Sequence, residues 1–548
     1  MRLSRALGPL GLCSIWLLMI VLVNPRGDFP LSDDWSYAST VRGLLETGQY
    51  RPHGWTAMTL LTQVLWGYGF SLLAGRFSFE ILRASTITLG LVAVLAVYLL
   101  FRESGARKLV AFVAAASLAV NPIFFALSCT FMSDVPFVAF AALSLACYAR
   151  ALRVASPAMI ALGTALSIAA VLVRQVGLVI PISFGMAYLV RREMRASGIP
   201  SVLLPTLASV LALVGYQHWL VAHGGIPEHY ASLAAYFRRA FSHGVAAAAS
   251  TTLWNIVGIV IYLGFFVLPV AVLAFPSPRR SRWRAFAGWL IVSAFATGIL
   301  AWAHRILPFV GNILSRRGVG AFTLRGMPEL GLGNHLERIP LPVTVGATFA
   351  AIVSAGVLAH FGLVSALRLV RRFRDGRPRP AASKDALALA FAAPYFALIM
   401  TGWLFDRYVV PLAVVAPLLL ASPAARGARR PALLMISCTL LLGLAGFSVA
   451  ATHDYLAWNR ARWAALGELA SQGVPPASID GGFEFNGTHL YSEDHVGIPG
   501  KSWWWVRDDE YVISVAPIAG YRVVNRHPWY RWLFRRQELI YTLRRVES

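Results

Sequence analysis

Acidic side chains are scarce in this chain, with 25 Asp and Glu against 49 Lys and Arg in 548 residues, and charged residues of both signs make up only 14%. Soluble globular domains carry about a quarter charged residues, so that class is excluded. Cysteine is also sparse. Cys13, Cys147 and Cys438 fall inside apolar runs and Cys129 lies near the end of one, so neither a disulfide framework nor a zinc spacing emerges. No internal repeat marks an alternating-access transporter. The first apolar run, Leu7 to Val23, follows Arg2 and Arg5 but has no small-x-small cleavage site behind it, so it reads as a retained first span rather than a signal peptide.

What the chain has instead is apolar length. It is 57% hydrophobic with a mean hydropathy of +0.62, arranged in runs of about 17 to 25 residues separated by short arginine-rich loops. The formal net charge of +24 resides largely in those loops and marks cytoplasmic faces, not a nucleic-acid surface. The pattern predicts an all-α polytopic membrane protein of about thirteen spans over residues 1–450, with a small α/β extracytoplasmic domain over 451–548. Spans are expected near 83–101, 109–126, 136–152, 202–221, 251–275, 285–303, 343–367, 385–403 and 431–450, with a pair of short helices over 158–190 and a re-entry from Val409. Residues 33–47 predict an interfacial helix stopped by Gly48, and 56–74 a further interfacial or re-entrant element. External loops are expected near 24–82, 127–136, 222–250 and 304–342.

With the N-terminus inside, this topology puts Asp33, Asp34, Asp134, Arg174 and Arg407 together at the outer boundary of the membrane. Two adjacent carboxylates at the end of a span are costly near lipid. They serve either as a solvated helix start, for which Ser32 is a suitable N-cap, or as a working site. Arg174 reaches the outer side because both ends of the 158–190 pair are positive, at Arg153 and at Arg191, Arg192 and Arg195. Acids and fixed cations at headgroup depth suit a substrate that is part lipid and part phosphate. A carboxylate can take the proton of an acceptor hydroxyl as it attacks an anomeric carbon, and arginine binds phosphate through a planar fork that stays charged. Structural roles stand beside these: Asp134 as a loop acid or cap, Arg174 as a headgroup anchor, Arg407 as a partner of Asp406, and Trp503 to Trp505 as an interfacial anchor or a sugar platform. The external histidines His223, His229 and His243 raise a divalent metal with Asp33 or Asp34, but their spacing matches no ligand motif, so no cofactor is predicted.

Three stretches carry a resemblance. Asp33-Asp34-Trp35-Ser36-Tyr37-Ala38 resembles the Asp-Glu-x-x-Tyr-Ala motif in the first external loop of GT-C glycosyltransferases of the protein mannosyltransferase and aminoarabinose transferase type. Met132 to Phe137 is similar to the acid-x-Pro element of their second external loop, and Asp406 to Leu412 to their Arg-Tyr-x-x-Pro-Leu stretch. Asp34 replaces a Glu, and Arg51-Pro52-His53-Gly54-Trp55 stands where many relatives carry a Lys-Pro-Pro-like stretch. The resemblance implies a bacterial inner-membrane hexosyl- or pentosyltransferase with its active site facing the periplasm. It further implies a polyprenyl-phosphate sugar donor and a lipid, glycan or protein acceptor. The catalytic residues would be Asp33, Asp34 and Asp134, with Arg174 and Arg407 on the donor phosphate and Tyr37, His53 and Tyr408 on substrate. The alternative class is a transporter or flippase of a lipid-linked or anionic solute, whose charges belong near mid-membrane on broken helices.

Overall fold

The computed structural model describes residues 3–191, 198–230, 245–275, 283–325, 336–374 and 383–546. His243, Arg192, Arg195, Arg279, Arg280, Arg282 and part of the basic 368–384 loop lie outside the described residues. Helices dominate. Among the described residues seven are long and apolar enough to cross a membrane, or eight with one bent pair. By this measure the count falls below the expected thirteen. Four further apolar helices, Leu7–Val23, Pro157–Val171, Gln175–Val190 and Phe286–Trp302, are shorter than the roughly 20 residues that a 30 Å hydrocarbon core requires.

The expected span at 109–126 is broken. Its parts, Lys108–Ala119 and Pro122–Ser128, meet at 63°, because Pro122 cannot donate into the preceding turn and the Asn121 side chain caps the new helix by accepting from Ile123 and Phe124 N–H. The re-entry at Asp406–Gly427 is likewise a chain of short 3-10 and α turns, each restarted by a proline: Pro411, Pro417, Pro423. The boundary expected at residue 450 falls inside one continuous helix, Pro431–Ser471. Hydropathy drops after Ala450, but nothing there stops the backbone, and the emerging turns pack against the C-terminal sheet.

That sheet has strand order β3-β4-β6-β5, with β3 Ile479–Asp480 parallel to β4 Tyr511–Ser514, and β5 Tyr521–Arg531 antiparallel to β6 Arg536–Arg545. The ribbon β1 Leu314–Ser315 with β2 Gly318–Val319 lies between the helices Trp283–Trp302 and Leu341–Arg374. The sheet region is clamped over the stretch that follows the first helix. The buried Arg462 guanidinium pairs with Glu484 at 2.7 Å, both side chains fully enclosed. The other Glu484 oxygen accepts the N–H of Ser32 at 2.9 Å, and Thr323 donates its hydroxyl to the same carboxylate. The helix Phe483–Leu490 that carries Glu484 begins at Gly482, φ +88°, where a Cβ would meet the Thr323 carbonyl at 2.3 Å. At Gly487 a Cβ would lie 2.4 Å from the Trp35 ring. Only glycine allows both approaches.

Candidate active site

The helix Asp34–Thr47 starts at Asp33, not Ser32, and the Asp33 side chain makes no capping hydrogen bond. Ser32 sits in the left-handed region at φ 58°, a costly place for a residue with a Cβ, and the Glu484 carboxylate holds it there. The strained residue turns the next carboxylate outward. Asp33 Oδ1 accepts the Trp55 indole N–H at 3.1 Å, and Oδ2 stands 3.7 Å from Arg407 Nη2. The side chain of Asp33 is 22% exposed and that of Arg407 5%. The carboxylate is therefore reachable from water, while the cation behind it is not.

Asp34 points the other way. It is 2% exposed, with one oxygen accepting Leu31 N–H at 2.6 Å and the other Phe131 N–H at 3.0 Å. Burial pushes its pKa up to about 8, against the pull of those two donors and Arg83. The first bond closes a local turn, and the second ties the loop before the helix Asp34–Thr47 to the one before Asp134. Asp134 opens the helix Asp134–Val154 and forms a buried ion pair with Arg174 at 2.8 Å. Arg174 also donates through Nε to Ser133 Oγ at 3.0 Å. It is held at the turn before the 3-10 segment Gln175–Leu178, where Val173 and Leu172 carbonyls accept Leu60 and Thr62 N–H. A buried, paired Arg174 is not placed to anchor the hairpin to headgroups.

Arg407 is set by its neighbour. Asp406 accepts N–H groups of Ile313, Leu314 and Arg407 itself, so its charge is spent on backbone rather than on the adjacent guanidinium. Arg407 Nε and Nη1 are buried with no hydrogen-bond partner among the described residues. The Tyr408 ring lies 5.8 Å beneath both Arg174 and Arg407. Tyr37 is buried among them, its phenol raised well above its ordinary value by burial and then by Asp33. Charges of Arg407, Arg174 and Asp134 also act on it. Asp33, Asp134, Arg174, Arg407, Tyr37 and Tyr408 thus converge.

His53 does not join this cluster. Its ring packs on Trp35 at 5.0 Å and Tyr491 at 4.6 Å, in an aromatic group with Trp55, Phe483, Trp504 and Trp505. The tryptophan triplet is therefore split: Trp505 is buried against Trp35 and Trp55, whereas Trp503 is exposed. Interfacial anchoring of all three is excluded by that packing. Trp55, for which the sequence suggested no role, bridges the two groups, with its ring in the aromatic group and its indole N–H on Asp33, and it also stacks on His229 at 4.5 Å. No motif signals it; only the fold brings it to Asp33. Among the described residues no group of three or more His, Cys, Asp or Glu could hold a metal ion.

Burial lowers the His53 pKa from 6.5 to about 4. Between those values the unfolded chain binds a proton that the folded one does not, so stability is present above pH 6.5 and is lost as pH falls toward 4. The midpoint of thermal unfolding in detergent is expected to drop between pH 7.5 and pH 5, and to drop less in His53→Gln. An equal drop in both would remove His53 as a source of that acid sensitivity.

Comparison with curated proteins gives no significant sequence match. Among solved structures the chain is similar to the Archaeoglobus fulgidus oligosaccharyltransferase tethered with an acceptor peptide, at 16% identity and TM-score 0.41, over 90% of this chain. It spans 61% of the length of that enzyme. The Archaeoglobus fulgidus AglB complex with an inhibitory peptide and a dolichol-phosphate aligns at 15% and 0.40, again over 90% of this chain and 61% of that one. ArnT from Cupriavidus metallidurans bound to undecaprenyl phosphate aligns at 14% and 0.39, over 98% of both chains. Residues 73–221, the stretch that carries Asp134 and Arg174, match the dolichyl-phosphate-mannose-protein mannosyltransferase family, which is of the GT-C type.

Proposed function

We propose that the chain is a multi-pass membrane glycosyltransferase that moves a hexosyl or pentosyl group from a polyprenyl-phosphate carrier to a lipid, glycan or protein hydroxyl. It works at the periplasmic face of a bacterial inner membrane. The observation that carries this reading is the Arg407 guanidinium, buried with two nitrogens unpaired, 3.7 Å behind a water-accessible carboxylate. In this reading Asp33 takes the proton of the acceptor hydroxyl as its oxygen bonds to the anomeric carbon. The bond from that carbon to the phosphate oxygen breaks, and its electron pair leaves with the phosphate. A lipid phosphate is a weak base, so it needs charge stabilisation more than a proton, and Arg407 with the Asp134-held Arg174 supplies it. Asp34, Trp55 and Glu484 position Asp33, and Tyr37 and Tyr408 form the floor under the sugar phosphate. His53 shapes the aromatic wall at the acceptor side.

No metal is needed for these steps, and transfer is expected to survive EDTA; abolition by EDTA with rescue by a divalent ion would overturn that part. Steady-state kinetics test the donor site. Arg407→Ala is expected to raise KM for the polyprenyl-phosphate sugar by about tenfold or more, in line with losing one charge-assisted contact of roughly 1.5–3 kcal/mol, while KM for the acceptor barely moves. The reverse pattern would assign Arg407 to the acceptor. The transporter reading suits the placement less well, since the charges gather at the ends of helices that meet the external loops.

A further inference from the structure

A second feature lies where the last long helix leaves its apolar stretch. A cavity of about 410 Å³ opens between that helix and the β5 strand, lined by His453, Ala457, Arg460, Trp529, Tyr530 and Trp532 among others. None of these residues belongs to the Asp33 and Arg407 cluster. The hairpin that forms its outer wall is fixed to the helix: Trp532 and Leu533 N–H groups donate to Asp454 at 2.7 and 3.1 Å. The Trp532 ring stacks on His453 at 3.7 Å. The Trp529 side chain closes one side of the cavity.

Helix geometry ties this cavity to lipid. At 100° per residue, positions 435, 442, 453 and 460 fall within about 20° of one another on one face. Met435 is 65% exposed and Leu442 74% exposed, so an open apolar stripe runs up this face and ends at His453 and Arg460. At about 1.5 Å per residue, Leu442 lies roughly 16 Å below His453, a length suited to an acyl chain. Arg460 also donates to the carbonyls of Asn24 and Arg26 at 3.4 and 3.3 Å, so the first apolar helix, ending at Val23, finishes beside the same mouth. Arg26, whose carbonyl Arg460 meets, is itself exposed. Aromatic rings with a polar edge and arginines at the ends of two apolar stretches match the chemistry of the headgroup layer.

We infer that this cavity binds the headgroup of an anionic phospholipid of the leaflet on the active-site side, with the acyl chains lying along the Met435 and Leu442 face. The phosphate diester accepts from Arg460, and Tyr530 and Trp532 flank it. The site holds the C-terminal sheet down on the membrane, independently of which reaction the chain performs.

The test uses the full chain in nanodiscs of phosphatidylglycerol mixed with phosphatidylcholine, with a photoreactive benzoylphenylalanine placed by Trp532→benzoylphenylalanine. Mass spectrometry is expected to find phosphatidylglycerol adducts enriched several-fold over the bulk lipid ratio, and Arg460→Gln in the same background is expected to remove the enrichment. A Leu442→benzoylphenylalanine control reports that lipid crosslinking works in the preparation. Absence of lipid adducts at position 532 while the control crosslinks would overturn the proposal. So would adducts at the bulk ratio, or an enrichment that Arg460→Gln leaves unchanged.

Discussion

Asp33→Asn is expected to reduce kcat for sugar transfer by about 10²–10⁴-fold, the range that a positioned general base contributes, with little change in abundance or thermal midpoint. The separation follows from what the side chain touches. Asparagine keeps an oxygen to accept the Trp55 indole N–H, the Asp33 side chain does not cap its helix, and Asp134 remains as the larger negative charge acting on the buried Arg407, so the fold loses little. The carboxylate at 3.7 Å from Arg407 is lost, and with it the acceptor for the hydroxyl proton. Transfer assayed with purified protein and a polyprenyl-phosphate sugar checks this. A variant with full kcat would remove Asp33 from the chemistry.

Glu484→Ala is expected to cost about 3–5 kcal/mol of stability, because it leaves the fully enclosed Arg462 charge without its partner. It is also expected to lower kcat, although Glu484 lies in the C-terminal domain, because Ser32 loses the acceptor that holds its strained backbone. The two effects separate in the double variant Arg462→Met with Glu484→Leu. Replacing a buried pair by apolar residues of similar size restores much of the stability, yet Ser32 N–H still has no carboxylate to meet. A double variant with a thermal midpoint well above that of Glu484→Ala and an equally reduced kcat is the expected result. Recovery of both together would show that Glu484 acts on stability alone.

Much of this site was legible because membrane topology does the work that long-range contacts do in soluble proteins. Once apolar runs and arginine loops fix sides, Asp33, Asp134, Arg174 and Arg407 must share one face, and Arg174 follows from two positive helix-pair ends. Which carboxylate of the Asp33-Asp34 pair faces outward was not legible. That depends on Ser32 at positive φ and on Glu484, roughly 450 residues along the chain, and nothing in the local sequence of either announces the other. Trp55 and Trp505 were hidden for the same reason: an aromatic residue near a membrane reads as an interfacial anchor until a second domain is seen to cover it. The run from Pro431 to Ser471 shows a different limit, since hydropathy reports where lipid ends and not where a helix ends.

The proposed reaction requires the buried Arg407 guanidinium behind Asp33 to meet a lipid phosphate. Native mass spectrometry of the purified chain with added undecaprenyl phosphate tests it most directly. Wild type and Asp33→Asn are expected to retain one lipid phosphate each, and Arg407→Gln, folded by the same thermal criterion, to lose it; retention by Arg407→Gln equal to wild type would contradict the account.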